Sequence, residues 1–229
     1  MHREAVVKKY AKQLLRALSY VAIVVLPVLL GWGVNDLGGY FRDPVRTGYV
    51  GLGVLGLLIV FIPGLNVHPF KKGSRVVGGK LARTMGVSTI LLTLFLPYAD
   101  RRGLLTFPDR EAWRWAGLAL CVLGAAIRGA GLWSLGRQFS SYVTLQENHQ
   151  LVQTGLYKRV RHPMYLGLLM SVAGLPLVFR SWLVIPIWGL ALLFVLLRMG
   201  QEERLLAEHF GSEFESYRRR TWRLLPYVY

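Results

Sequence analysis

Long apolar runs, each flanked by basic residues, constrain this chain more than any other feature of it. A helix needs about 20 apolar residues to cross a bilayer. Runs of that order occupy Ala17–Val34, Thr47–Val67, Leu81–Tyr98 and Ala112–Gly136. A further region, Met164–Met199, is too long for one pass at 1.5 Å per residue. Pro176, Arg180, Ser181 and Pro186 interrupt it, so it predicts a helical hairpin turning near Phe179–Trp182. The expected fold is all-α: a polytopic transmembrane helical bundle of about six spans, or five if the last region is a broken or re-entrant helix.

Composition agrees. The 229 residues are 53% hydrophobic and only 17% charged, where a soluble domain carries about a quarter charged residues. The formal net charge of +16 comes from 28 Lys and Arg against 12 Asp and Glu. These basic residues lie between the apolar runs, which points to lipid headgroups and topology and away from nucleic acid. The apolar stretch from about Leu14 to Gly33 is long enough to span, and no small-residue cleavage motif follows it; it reads as a retained first span. Positive residues set the orientation. Lys8, Lys9 and Lys12, then Lys71, Lys72 and Arg75, then Lys158–Arg161 and Arg218–Arg220 fall on one side. Arg42, Arg46, Arg101, Arg102, Arg114 and Arg180 fall on the other, alongside Asp36, Asp43, Asp100 and Asp109. The expectation is a multi-pass integral membrane protein with both termini cytoplasmic.

Several motifs mislead. Gly51–Gly56 matches G-x-G-x-x-G but lies inside an apolar run with no strand before it, so helix packing explains it better than a dinucleotide. Cys121, the only cysteine, sits in an apolar run and reads as a packing residue. Arg128 stands among small residues, where Ala125 and Gly129 would let a neighbouring helix approach; it is either functional or a snorkelling cation. The histidines lack zinc-like spacing, so no metal is expected.

The polar segments are Arg137–His162 and the stretch after Met199, and the chemistry should lie there. Pro163 suits the first turn of a helix, which puts His162 at its mouth and Tyr165 on the same face. With Arg161 adjacent, this is a ready site for an anionic group such as a carboxylate. The hairpin returns Arg198, Glu202 and Glu203 to the same membrane face. Arg198 and Glu202 share a side at i, i+4, and Glu203 is turned away, so the two acids can serve different partners.

The order of these residues resembles the isoprenylcysteine carboxyl methyltransferase family, and parts of it are shared by integral-membrane phospholipid methyltransferases. The likeness is carried by Phe139, Val143, His149, Leu151, Val152, Gly155, Tyr157, Arg161–Tyr165, Gly167, Arg198, Glu202, Glu203, Leu206, Phe210, Gly211, Phe214, Tyr217, Leu225 and Pro226. It covers about residues 137–226 and divides the chain into N-terminal spans, 1–136, and a methyltransferase-like region, 137–229. That region comprises a cofactor loop, a helical hairpin and a C-terminal amphipathic helix. The resemblance implies an S-adenosylmethionine-dependent methyltransferase whose cytoplasmic site surrounds the cofactor with His149, Gln150, Leu151, Val152, Tyr157, His162, Pro163, Met164, Tyr165 and Glu203. Arg198 would face the methyl acceptor. The acceptor would be lipid-like or prenylated, most simply a carboxylate, and would enter from the bilayer. A phospholipid or other lipophilic acceptor, a sterol-type NADPH reductase and a non-catalytic membrane protein are the alternatives. The stretch between Val143 and His149 is shorter than in the eukaryotic enzymes, which leaves open whether Gln146 contacts cofactor.

Overall fold

The structure, a computed structural model, describes residues 21–60, 75–77, 79–136, 143–145 and 150–229. Gln146 and His149, the outer ends of the first two predicted spans and several of the loop lysines lie outside them. A π-helical turn, Val21–Val25, leads into α1 (Leu26–Trp32), a 3-10 turn (Val34–Asp36), α2 (Leu37–Phe41) and α3 (Pro44–Val60). Then come β1 (Arg75–Val77), α4 (Gly79–Arg102), α5 (Glu111–Leu135), β2 (Val143–Leu145) and a 3-10 turn (Gly155–Lys158). The chain closes with α6 (Pro163–Val178), α7 (Val184–Phe210) and α8 (Ser212–Arg219).

Every predicted span carries helix in its described part. By length and composition α5 and α7 can each cross a membrane, and the bent pair Ala22–Trp32 and Val34–Phe41 makes a third if it is one span. That pair is bent by 70°. The break falls at Gly33, whose φ of 105° is open to glycine and costly for other residues. A Cβ there would also run into the Arg101 guanidinium. One addition to the all-helical expectation is a small antiparallel ladder, in which Val76 faces Thr144. It joins the two site-side loops and lies against α7.

The most extensive helix contact is a glycine seam between α5 and α6. A Cβ on Gly117 would lie 2.7 Å from the Gly174 carbonyl oxygen, one on Gly124 2.5 Å from that of Gly167, and one on Gly131 2.7 Å from Met164 Cγ. Seven-residue spacing on α5 (117, 124, 131) meets seven-residue spacing on α6 (167, 174), so backbone packs on backbone. This corrects the expectation for Gly129: nothing lies within 4 Å of a Cβ there. Cys121 is buried in the same seam, its thiol 3.7 Å from the Ser171 carbonyl.

The predicted hairpin turn is where the sequence places it, between α6 and α7. At that end, Asp100 is buried with its carboxylate shared by three arginines. Arg180 Nε lies 2.6 Å from Oδ1, while Arg114 Nη1 and Arg46 Nη1 lie 3.1 and 3.4 Å from Oδ2. Asp43 and Asp109 complete a balanced cluster of three acids and three bases. The hydrogen bond from Arg114, against the opposing pull of burial, holds the Asp109 carboxyl below its usual range. Arg180 adopts a left-handed backbone, φ 49°, a strain of about 1–3 kcal/mol. The main-chain bonds Phe107 N to Arg180 O and Trp182 N to Leu105 O hold it there. Residues assigned from sequence only to outer loops thus form one buried ionic clamp. Above it packs an apolar core of Val28, Tyr40, Val45, Leu96, Val178 and Phe179.

Candidate active site

The opposite end of α6 holds the predicted chemistry. α6 is 16 residues long, about 24 Å, so this site and the ionic clamp occupy opposite ends of the bundle. Pro163 takes the first turn as expected, with His162 as the N-cap. His162 is 4% exposed; its backbone N–H donates to the Arg223 carbonyl (3.1 Å), and its Nε2 lies 3.1 Å from Glu203 Oε1.

The two neighbouring glutamates do serve different partners. Glu203 is ringed by basic groups: Arg161 Nε at 3.1 Å, His162 Nε2 at 3.1 Å and Arg223 Nε at 3.2 Å. Glu202 instead accepts from the Tyr165 hydroxyl at 2.9 Å, and that hydroxyl accepts from Arg198 Nε at 2.7 Å. Arg198 is 8% exposed and sits where the apolar part of α7 ends. The structure therefore contains two polar chains side by side. Arg198–Tyr165–Glu202 is short and faces along α6 and α7. Arg161–Glu203–His162 with Arg223 ties α6 and α7 to the segment after α8.

Arg161 was expected to help receive an anion. Its donors are instead engaged within the fold, by Glu203, the Arg218 carbonyl (3.0 Å), and the Thr221 hydroxyl (3.2 Å) and carbonyl. Its own N–H donates to the Trp222 carbonyl at 2.8 Å, and Trp222 N–H donates to the Arg159 carbonyl at 2.9 Å. Residues 217–224 are thus part of the site's wall. Sequence reading missed Thr221 and Arg223 because their own carbonyls make part of the contact, Thr221 with the Arg161 guanidinium and Arg223 with the His162 N–H, each some 60 residues away.

Tyr157 is buried in the 3-10 turn, its hydroxyl close to Gly131 at the end of α5. Its carbonyl accepts from the Tyr217 hydroxyl at 2.8 Å. Burial pushes the Tyr217 phenol up to about 12, and burial raises Tyr157 further, so both remain neutral donors at cellular pH. Gly155, at φ 58°, opens this turn and packs against Ser134. Gln150 is exposed, while Leu151 and Val152 are half-buried in the irregular segment leading into it. Met164 lies against Gly131, on the α5 side of α6. Tyr157 and His162–Tyr165 thus meet Arg198, Glu202 and Glu203 at one end of the bundle; His149 is outside the described residues.

The comparisons with known proteins follow from the same region. A model of the isoprenylcysteine carboxyl methyltransferase family matches residues 117–208, from α5 through most of α7. A probable protein-S-isoprenylcysteine O-methyltransferase of Oryza sativa subsp. indica is 30% identical over 130 residues, covering 54% of this chain and 68% of the rice protein. Protein-S-isoprenylcysteine O-methyltransferase B of Arabidopsis thaliana is 27% identical over 198 residues, covering 80% of this chain and 96% of that protein. The solved structure of the eukaryotic intramembrane Ras methyltransferase ICMT superposes with a TM-score of 0.58 at 22% identity, covering 91% of this chain and 75% of that one; this establishes a shared fold. Together with the apolar helices, these findings make the chain an integral membrane methyltransferase that belongs to the isoprenylcysteine carboxyl methyltransferase family.

Proposed function

We propose that the protein transfers a methyl group from S-adenosylmethionine to the carboxylate of a lipid-borne acceptor, an S-prenylated cysteine or a similar amphiphile, at a site facing the cytoplasm. The observation that carries this reading is the Arg198–Tyr165–Glu202 chain, a buried arginine and a half-buried glutamate bridged by one phenol at the end of an apolar helix. A buried guanidinium suits a carboxylate, which it can hold in a fixed fork without protonating it.

The residues present fit the cofactor. Its positive charge calls for an anion, and Glu202 supplies one beside the rings of Tyr165 and His162, whose centroids lie 5.5 Å apart. Tyr157, Leu151 and Val152 offer the apolar and aromatic surface that an adenosine needs. Glu203 belongs with cofactor binding through His162 and Arg161, because its oxygens are engaged by protein side chains. When bound, the cofactor supplies an activated methyl group with its own leaving group, so the protein need provide neither a metal nor a covalent nucleophile. What the protein must provide is alignment, worth up to about 7–11 kcal/mol in favourable cases. Arg198 orients the acceptor oxygen, Tyr165 fixes Arg198, and the Glu203 cluster fixes the start of α6.

The test is methyl transfer in proteoliposomes, with radiolabelled S-adenosylmethionine and a small S-farnesylated cysteine as acceptor. The account expects base-labile ester formation that Arg198→Ala lowers at least 100-fold. Transfer only to a phospholipid amine would overturn the carboxylate assignment, and retention of ester formation by Arg198→Ala would overturn the role given to that residue.

A further inference from the structure

After α8 the chain turns back along the bundle as a hook, Thr221–Tyr229. Two main-chain bonds, Arg161 N to Trp222 O and His162 N to Arg223 O, fix its start beside the mouth of α6. Its next residue, Leu224, is 5% exposed and packs into a cluster with Leu169, Val195 and Met199. Leu169 lies four residues beyond Tyr165, and Val195 lies three before Arg198, both about 5 Å below those site residues. The hook therefore descends from the site into the depth range of the apolar helices.

Its outer face is apolar. Trp222 and Leu225 are 41% and 42% exposed, Tyr227 88%, Val228 77% and Tyr229 46%. The outward residues of α7 at this level, Leu193 and Leu197, are exposed to a similar degree, 51% and 52%. Five large apolar side chains in eight residues make a patch that water does not favour. The polar groups among them are arranged for an interface. Trp222 and Tyr227 meet ring to ring at 5.4 Å, tilted by 46°, the Arg223 guanidinium covers the Tyr229 ring at 5.3 Å, and Arg223 is neutralised by Glu203. Arg218, Arg219 and Arg220 are exposed just before the hook. Tryptophan and tyrosine with arginine above them is the pattern of a headgroup boundary.

We propose that Trp222–Tyr229 is an interfacial anchor whose outer face is immersed in the headgroup–acyl boundary of the bilayer on the site-bearing side, tying the Arg161–His162 backbone to the membrane surface. The partner is the phospholipid layer itself. The inference rests on membrane insertion and not on methyl transfer, so the two can fail separately.

The test is depth measurement by electron paramagnetic resonance in nanodiscs of phosphatidylcholine and phosphatidylglycerol. Spin labels go on Val228→Cys and, in a second protein, Tyr227→Cys. Cys121 is 3% exposed, and the unsubstituted protein checks that it takes no label. Leu193→Cys on the outward face of α7 and Ser216→Cys on exposed α8 give the lipid and aqueous references. Labels at 227 and 228 are expected to show high oxygen and low nickel-chelate accessibility, between the two references or matching Leu193. Accessibility equal to that of Ser216 at both positions would overturn the proposal and leave the patch to a water-soluble partner.

Discussion

Asp100→Asn should uncouple the far end of the bundle. The substitution keeps shape and removes one charge. The Asp100 side chain has no exposed surface and receives three guanidinium groups. Asparagine can keep its oxygen toward Arg180, whose 2.6 Å contact is the shortest of the three. Its amide nitrogen must then face the Nη1 donors of Arg114 and Arg46. Two charge-assisted hydrogen bonds, each worth about 1.5–3 kcal/mol, are lost, and a surplus positive charge stays buried. The expected loss is about 3–5 kcal/mol, the range for breaking a buried pair by removing one partner. At about 2–4 °C per kcal/mol for a chain of this size, the melting temperature should fall by about 6–20 °C. Differential scanning fluorimetry in detergent reads this directly. Asp109→Asn is the control: its side chain is 54% exposed, so its loss should stay under about 1 kcal/mol. Binding of S-adenosylhomocysteine below the melting temperature should survive in both variants, because the site lies at the other end of α6. An unchanged melting temperature for Asp100→Asn would refute the clamp.

Three further outcomes follow from the geometry. Gly174→Ala places a Cβ 2.7 Å from Cys121 Sγ and against the Gly117 carbonyl, an overpacking of about 1–3 kcal/mol, whereas Gly129→Ala should be neutral or stabilising by up to about 1 kcal/mol; melting curves compare them, and equal shifts would disprove the seam. Tyr165→Phe removes the hydroxyl between Arg198 and Glu202, and kcat should fall about 10- to 100-fold with the melting temperature held within a few degrees, an expectation that wild-type turnover would contradict. Glu203→Gln should lower the melting temperature because Arg161, His162 and Arg223 lose their shared carboxylate, while Glu202→Gln should leave it nearly unchanged and weaken cofactor binding; the reverse pattern in melting and calorimetry would exchange the two roles.

Much of the fold was legible because it is written in local signals. Pro176, Arg180 and Ser181 mark the hairpin, Pro163 marks the start of α6, and the hairpin's return brings Arg198 and the glutamate pair back to His162. The separate allegiances of Glu202 and Glu203 followed from helical spacing alone. The glycine seam was misassigned in phase, to Gly129 and not to Gly117, Gly124 and Gly131, because α5 is apolar or small on all sides and its pattern does not say which face meets a neighbour. The ionic clamp was hidden for another reason: Arg46, Asp100, Arg114 and Arg180 are far apart in sequence, and their charges read as topology markers until tertiary packing buries them. The engagement of Arg161 by Thr221 and Arg218 was likewise out of reach, since two of the acceptors are main-chain carbonyls that carry no sequence signature.

The central claim is that the cluster of Tyr157, His162–Tyr165, Glu202 and Glu203 holds the methyl donor beside Arg198. Its most direct test is calorimetric binding of S-adenosylhomocysteine to detergent-purified protein, with NADPH run in parallel. Micromolar binding of S-adenosylhomocysteine, lost in His162→Ala and weakened in Glu202→Gln, is the predicted result. Failure to bind S-adenosylhomocysteine by a protein that melts cooperatively, or binding that His162→Ala leaves intact, would contradict it.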